Sequence, residues 1–215
     1  MLPLTGLDRV SALDLPGPGD APRSRDIPCN LVSHLLVRQG KLEWLQVMRS
    51  NDLIWGTPYN FIQFTTLQEI MAGWLGLDVG TYNHVSDSLH VYERHWQELE
   101  TLGADGDEGN LPLPQNRADL RIGSYEAWER VWRRLVDDTC ALEQEAQEST
   151  LLGIADHAGD LPPAYAEWLA LLTAEALRRH GFLASALAMG VRAGPFWEAS
   201  WRRWVDTVAP GPAAG

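Results

Sequence analysis

The chain has 215 residues, enough for one domain or for one domain with a helical appendage. Its formal net charge of −12 argues against binding to a nucleic-acid backbone, and no apolar run is long enough to cross a bilayer. The two cysteines, Cys29 and Cys140, match no CxxC or metal-ligand spacing, so neither a disulfide scaffold nor a metal site is expected.

In chain order, residues 9–13 suit a short strand, and the Pro- and Gly-rich stretch 16–22 is a loop. The start, MLPLTGLDRV, lacks a basic n-region and a long apolar stretch, so no secretory leader and a cytoplasmic location are expected. Residues 30–38, NLVSHLLVR, read as a core strand. Turn chemistry at Gln39 and Gly40 joins it to a second strand in LEWLQVMRS, making a hairpin. Residues 50–60 carry breakers and read as a loop or irregular helix entry. Residues 61–77 are apolar at helical length and predict a buried helix stopped by Gly76. A strand is expected over 79–92, a short helix from His95 to about Leu102, and a solvated loop at ADGDEGN.

Ser124 is the expected N-cap of a helix running to about Glu148, with Glu126 adding negative charge to its first turn. Two or three further helices fill 162–208, with breaks near Gly181 and at Gly194-Pro195, and the tail APGPAAG is expected to be disordered. Of the ten tryptophans, five (Trp128, Trp132, Trp197, Trp201 and Trp204) fall at helical spacings and read as helix faces packed into a core. The composition shifts near Pro112, which divides a mixed α/β part, 1–112, from a helical part, 113–215. The fold class is α+β.

Four separated pieces carry a resemblance: IPCN around Cys29, GKLEWLQVMRSND ending at Asp52, GTPYN ending at Asn60, and SLHVYERH containing His90 and Tyr92. Together they resemble thymidylate synthases and the related pyrimidine nucleotide hydroxymethylases. The resemblance covers residues 26–95, about a third of the chain, and implies a homodimer formed sheet to sheet. It also implies one-carbon transfer from 5,10-methylenetetrahydrofolate to C5 of a pyrimidine nucleotide. Catalysis would be covalent: a Cys29 thiolate adds to C6, and the ring becomes an enolate able to attack at C5. A nearby cation favours the thiolate, and the resemblance gives that task, with a phosphate contact, to Arg49. Ser50 would bind the phosphate, Asp52 would stand beside pyrimidine and folate, and His90 and Tyr92 would bind the sugar hydroxyl. Asn60 would read the base. Its carboxamide can accept from uracil N3–H and donate to O4, which implies dUMP; an aspartate there goes with cytosine nucleotides.

Other readings of the same residues stay open: a small apolar cysteine, a turn serine, an Asx turn at Asp52, a half-buried polar pair at His90 and Tyr92. Arg9 stands upstream of the cysteine, as does the family arginine that reaches the partner subunit's phosphate; a surface arginine is its other reading. Asn30 and Met48 replace the family's usual histidine and glutamine. The run MRSND is at least as close to the hydroxymethylase branch, whereas Asn60 points to uracil. Only 28 residues precede Cys29, and none matches the family's general-base glutamate. The second functional class is therefore a catalytically reduced nucleotide-binding or scaffold protein of the same fold.

Overall fold

The computed structural model describes residues 29–97, 99–100 and 118–208. The expected strand at 9–13, the loops at 16–22 and 104–110, Arg9 and the tail lie outside the described residues.

Strands β1 (Asn30–Arg38) and β2 (Lys41–Asp52) form an antiparallel hairpin in the register Arg38↔Lys41 to Asn30↔Met48, with an irregularity between Asn30 and Val32. Gln39 and Gly40 both take positive φ, 50° and 75°, the combination a two-residue turn needs to match the strand twist. Helix α1 (Gly56–Leu75) then crosses the sheet, so that β3 (Asp78–His90) lies parallel to β2 in the order β1-β2-β3. Gly76 ends α1 in the left-handed conformation, and its N–H is bonded back to Gly73.

Alternation along β2 places Leu42, Trp44, Gln46 and Met48 against α1, where Trp44, Met48 and Phe64 form a small core. Gln68, fully buried on α1, donates from Nε2 to the Leu42 carbonyl at 2.7 Å and reaches those of Gly80 and Thr81. The opposite sheet face carries the cross-strand row Val32–Val47–Val85, whose outer members are 51% and 48% exposed.

Past β3, a 3₁₀ turn (Glu93–His95) leads into helical residues at 96–97 and 99–100. Helices α2 (Tyr125–Gln144), α3 (Glu148–Asp156), α4 (Pro163–Arg179), α5 (Leu183–Arg192) and α6 (Pro195–Val208) complete the described chain, with a 3₁₀ turn (His157–Asp160) after α3. Ser124 is the N-cap of α2, its Oγ accepting from Ala127 N–H. These helices enclose the larger core around Tyr165, Leu169 and Leu177, and Ile70 and Trp74 of α1 join it. Three bonds reinforce the joint: Leu120 N–H donates to Glu69 (2.9 Å), Tyr165 Oη donates to the Leu120 carbonyl (2.9 Å), and Arg121 pairs with Asp78 (2.9 Å).

The structure corrects four expectations. Helix α1 starts at Gly56 rather than Phe61. It is not buried throughout, since Ile62 is 66% exposed: apolar residues occur all round α1, and sheet and helical core cover only part of it. Strand β3 ends at His90, with Tyr92 in extended backbone just beyond it. The expected helix from Ser124 to about Glu148 stops at Gln144, and after extended backbone at Glu145 and Gln147 a further helix, α3, follows that was not expected.

Candidate active site

The end of the hairpin sets the position of the cysteine. Arg49 N–H donates to the Cys29 carbonyl at 2.9 Å, which ties the residue before β1 to β2. The half-buried Cys29 packs against the Trp44–Met48–Phe64 cluster. The residue after it is held by Gln46, whose fully buried amide donates to Asn30 Oδ1 and the Val32 carbonyl while accepting from Ser33 and Trp44.

Asp52, the last residue of β2, prepares the entry to α1. Its carboxylate accepts from the backbone N–H groups of Trp55 (2.9 Å), Ile54 (3.3 Å) and Gly56 (3.4 Å). Thr57 Oγ1 closes the loop onto the Asp52 carbonyl at 2.9 Å. Desolvation, the largest single influence on this carboxyl, pushes its pKa up; the three backbone donors and His95 outweigh it, and the net shift is downward. This is the Asx geometry of a helix entry, and it also fixes the carboxylate at the edge of a cleft.

That cleft, about 380 Å³, is bounded by the start of β1, the end of β2, the first turns of α1 and the end of β3. It brings together Cys29, Ser50, Asp52, Asn60, His90 and Tyr92. Ser50 pairs with Ser88, and Asp52 with His90, across the parallel ladder. The rings of His90 and Tyr92 meet edge to face at 5.1 Å, and Arg94 covers the Tyr92 ring at 4.6 Å. Arg49 is exposed and is not among the lining residues, although its neighbours Met48 and Ser50 are.

Asn51, Gly56, Gln63 and Phe64 also line the cleft, and sequence reasoning passed over all four. For Asn51 the signal was its place in MRSND, between two residues assigned roles. It is 3% exposed and accepts at Oδ1 from Asn60 Nδ2 at 2.9 Å. Among the described residues, no group of three or more His, Cys, Asp or Glu is placed to hold a metal ion. Cys140 lies on α2, away from this cleft, in a groove of the helical region.

An α+β sheet with a cysteine at the hairpin end, and a carboxamide and two ring side chains facing the same cleft, is the arrangement that the thymidylate synthase superfamily resemblance calls for. Residues 17–118 match the thymidylate synthase family, so over this segment the chain is thymidylate synthase-like. A 70-residue stretch is 51% identical to the deoxyuridylate hydroxymethyltransferase of Bacillus phage SP01, covering 32% of this chain and 18% of that protein. Among solved structures, thermostable thymidylate synthase A from Bacillus subtilis is similar at 35% identity and a TM-score of 0.34, over 34% of this chain and 27% of that one. The chain thus matches well under half the length of either relative.

Proposed function

We propose that the cleft binds a uracil nucleotide, dUMP, and that the protein transfers a one-carbon unit to its C5 through a Cys29 adduct at C6. The observation that carries this reading is the opening of Cys29 and Asn60 onto one cleft with Ser50, His90 and Tyr92, although they are scattered through the sequence. Asn60 reads the pyrimidine edge, Ser50 takes the phosphate, and His90 with Tyr92 takes the sugar hydroxyl. Arg49, whose backbone is bonded to that of Cys29, contacts the phosphate from the rim. Asp52 holds the α1 entry and orients the ring side of the cleft.

The carbon donor is 5,10-methylenetetrahydrofolate, which supplies the one-carbon unit when bound. The residues present fit such a group: the Trp55 and Tyr59 rings stack at 6.4 Å and are 51% and 64% exposed, next to the lining residues Gly56 and Asn60. Flat aromatic faces next to the cleft suit a flat heterocycle. Of the two products the family forms, the 51% identity to a deoxyuridylate hydroxymethyltransferase favours hydroxymethyl over methyl.

The protein acts as a homodimer joined through the Val32–Val47–Val85 face, an exposed apolar row that a second copy would cover. It works in the cytoplasm. Incubation of the protein with dUMP or dCMP and methylenetetrahydrofolate, followed by mass spectrometry of the nucleotide, tests the reaction. Hydroxymethyl-dUMP is expected. Unchanged nucleotide in both incubations would remove the enzyme reading and leave a nucleotide-binding protein.

A further inference from the structure

Asn60 can discriminate uracil from cytosine only if its carboxamide is held one way round. Rotated by half a turn, the same group exchanges donor and acceptor and presents the pattern complementary to the other base. A side chain free to turn would read neither base well.

The structure holds it. Asn60 Nδ2 donates to Asn51 Oδ1 at 2.9 Å. Asn51 spends its own Nδ2 on two acceptors of β3, His84 Nε2 at 3.1 Å and Ser86 Oγ at 3.2 Å. With Asn51 Nδ2 as the donor, His84 Nε2 carries no proton, and a neutral ring then holds its proton on Nδ1, 2.8 Å from Tyr82 Oη, which accepts it. Phe61 of α1 stacks on the His84 ring at 5.0 Å and 21°, fixing its plane. Burial lowers the His84 pKa, which favours the neutral ring.

The chain Tyr82–His84–Asn51–Asn60 therefore has two internally consistent states. With the His84 proton on Nδ1, Asn60 turns its nitrogen toward Asn51. With the proton on Nε2, Asn51 would have to turn its oxygen to His84 and its nitrogen to Asn60, and Asn60 would reverse. The amide orientations of Asn51 and Asn60 correspond to the first state.

We infer that Asn51 and His84, neither of which needs to touch the reacting atoms, are positioning residues that set base specificity by fixing which end of the Asn60 carboxamide faces the ligand. This rests on the proposed reading of the cleft as a uracil-nucleotide site.

Two measurements test it. The first needs no ligand: ¹⁵N NMR of histidine-labelled protein, with the His84 signals identified by their loss in His84→Gln. The Nδ1–H tautomer is expected at neutral pH. The Nε2–H tautomer or an imidazolium would overturn the relay. The second is calorimetric titration of wild type and Asn51→Leu with dUMP and dCMP. In the variant the ratio of the two affinities should fall about tenfold, because one mismatched buried hydrogen bond is worth roughly that much. A merely structural role would weaken both nucleotides together and leave the ratio intact, which would overturn the inference. If Asn51→Leu does not fold, the tautomer decides the matter. If wild type binds neither nucleotide, the uracil-site reading falls and the specificity role falls with it; wild type that prefers dUMP beside a variant with an unchanged ratio removes the specificity role alone.

Discussion

Asn60 and Asp52 show how a single polar side chain near this cleft carries both structure and recognition. Replacing Asn60 by aspartate leaves only acceptors where the amide had both kinds of group. Asn60→Asp should therefore shift preference from dUMP toward dCMP by roughly 1–3 kcal/mol, read by titration of both proteins with both nucleotides. Asp52 makes a different prediction. Its depressed pKa means that the folded state holds the carboxylate more firmly than the unfolded chain does. The stability it contributes is present above the ordinary carboxylate range and is lost as pH falls through its lower folded value. Asp52→Ala should remove that acid-sensitive component and cost about 1 kcal/mol at neutral pH, the usual value of a lost helix cap. Denaturant melts of both proteins at pH 7 and pH 3 check it; equal losses at both would contradict the capping role. The Asx turn at Asp52 was legible in the sequence. The Asn51–His84 pairing was not, because it joins residues 33 positions apart and depends on the register of β2 against β3.

Among the elements, those with strong local punctuation were readable before the structure. Strand β1 and the Gln39-Gly40 turn fall where expected, as do the Gly76 stop, the Ser124 cap and the breaks before α5 and α6. Each rests on a residue that satisfies or breaks backbone bonding on its own. The start of α1 was missed because Gly56 and Pro58 resemble breakers. Pro58 sits in the first turn, where its missing N–H costs nothing, and the cap is supplied from Asp52 outside the helix. Helix α3 was missed because its N-cap, Gln147, makes no capping side-chain bond that would announce it. Within the helical part, α5 and α6 meet where the Trp201 indole lies directly over Gly190, and Trp201 Nε1 donates to the Ala186 carbonyl at 3.1 Å. A methyl group at Gly190 has no room. Gly190→Ala should lower stability by about 1–3 kcal/mol in a thermal or denaturant melt, despite alanine's better helix propensity. A neutral or stabilising result would mean that the two helices pack differently.

On the scale of the molecule, the mixed α/β part and the helical part are joined through packing. Ile70 and Trp74 of α1 belong to the larger helical core, and Tyr165 Oη reaches across to the Leu120 carbonyl. Tyr165→Phe should cost about 1–2 kcal/mol by leaving that buried carbonyl without its partner, and the loss should appear in one cooperative transition covering both parts. The outer face of the sheet supports the proposed homodimer. Val47→Glu should yield a monomer in sedimentation, whereas a wild-type monomer would contradict the sheet-to-sheet reading. Cys29, Ser50, Asp52, Asn60, His90 and Tyr92, singled out from scattered motifs, face one cleft. Arg49, which the resemblance would put with them, is exposed and does not line that cleft.

The central claim is that Cys29 attacks a pyrimidine ring held in this cleft, and 5-fluoro-dUMP tests it most directly. Fluorine at C5 cannot leave as a proton does, so an adduct formed in the presence of methylenetetrahydrofolate should accumulate. Intact-protein mass spectrometry should show one nucleotide and one folate added per chain in wild type and neither in Cys29→Ser. Wild-type protein that binds dUMP yet forms no adduct would contradict the account and leave the cleft a binding site alone.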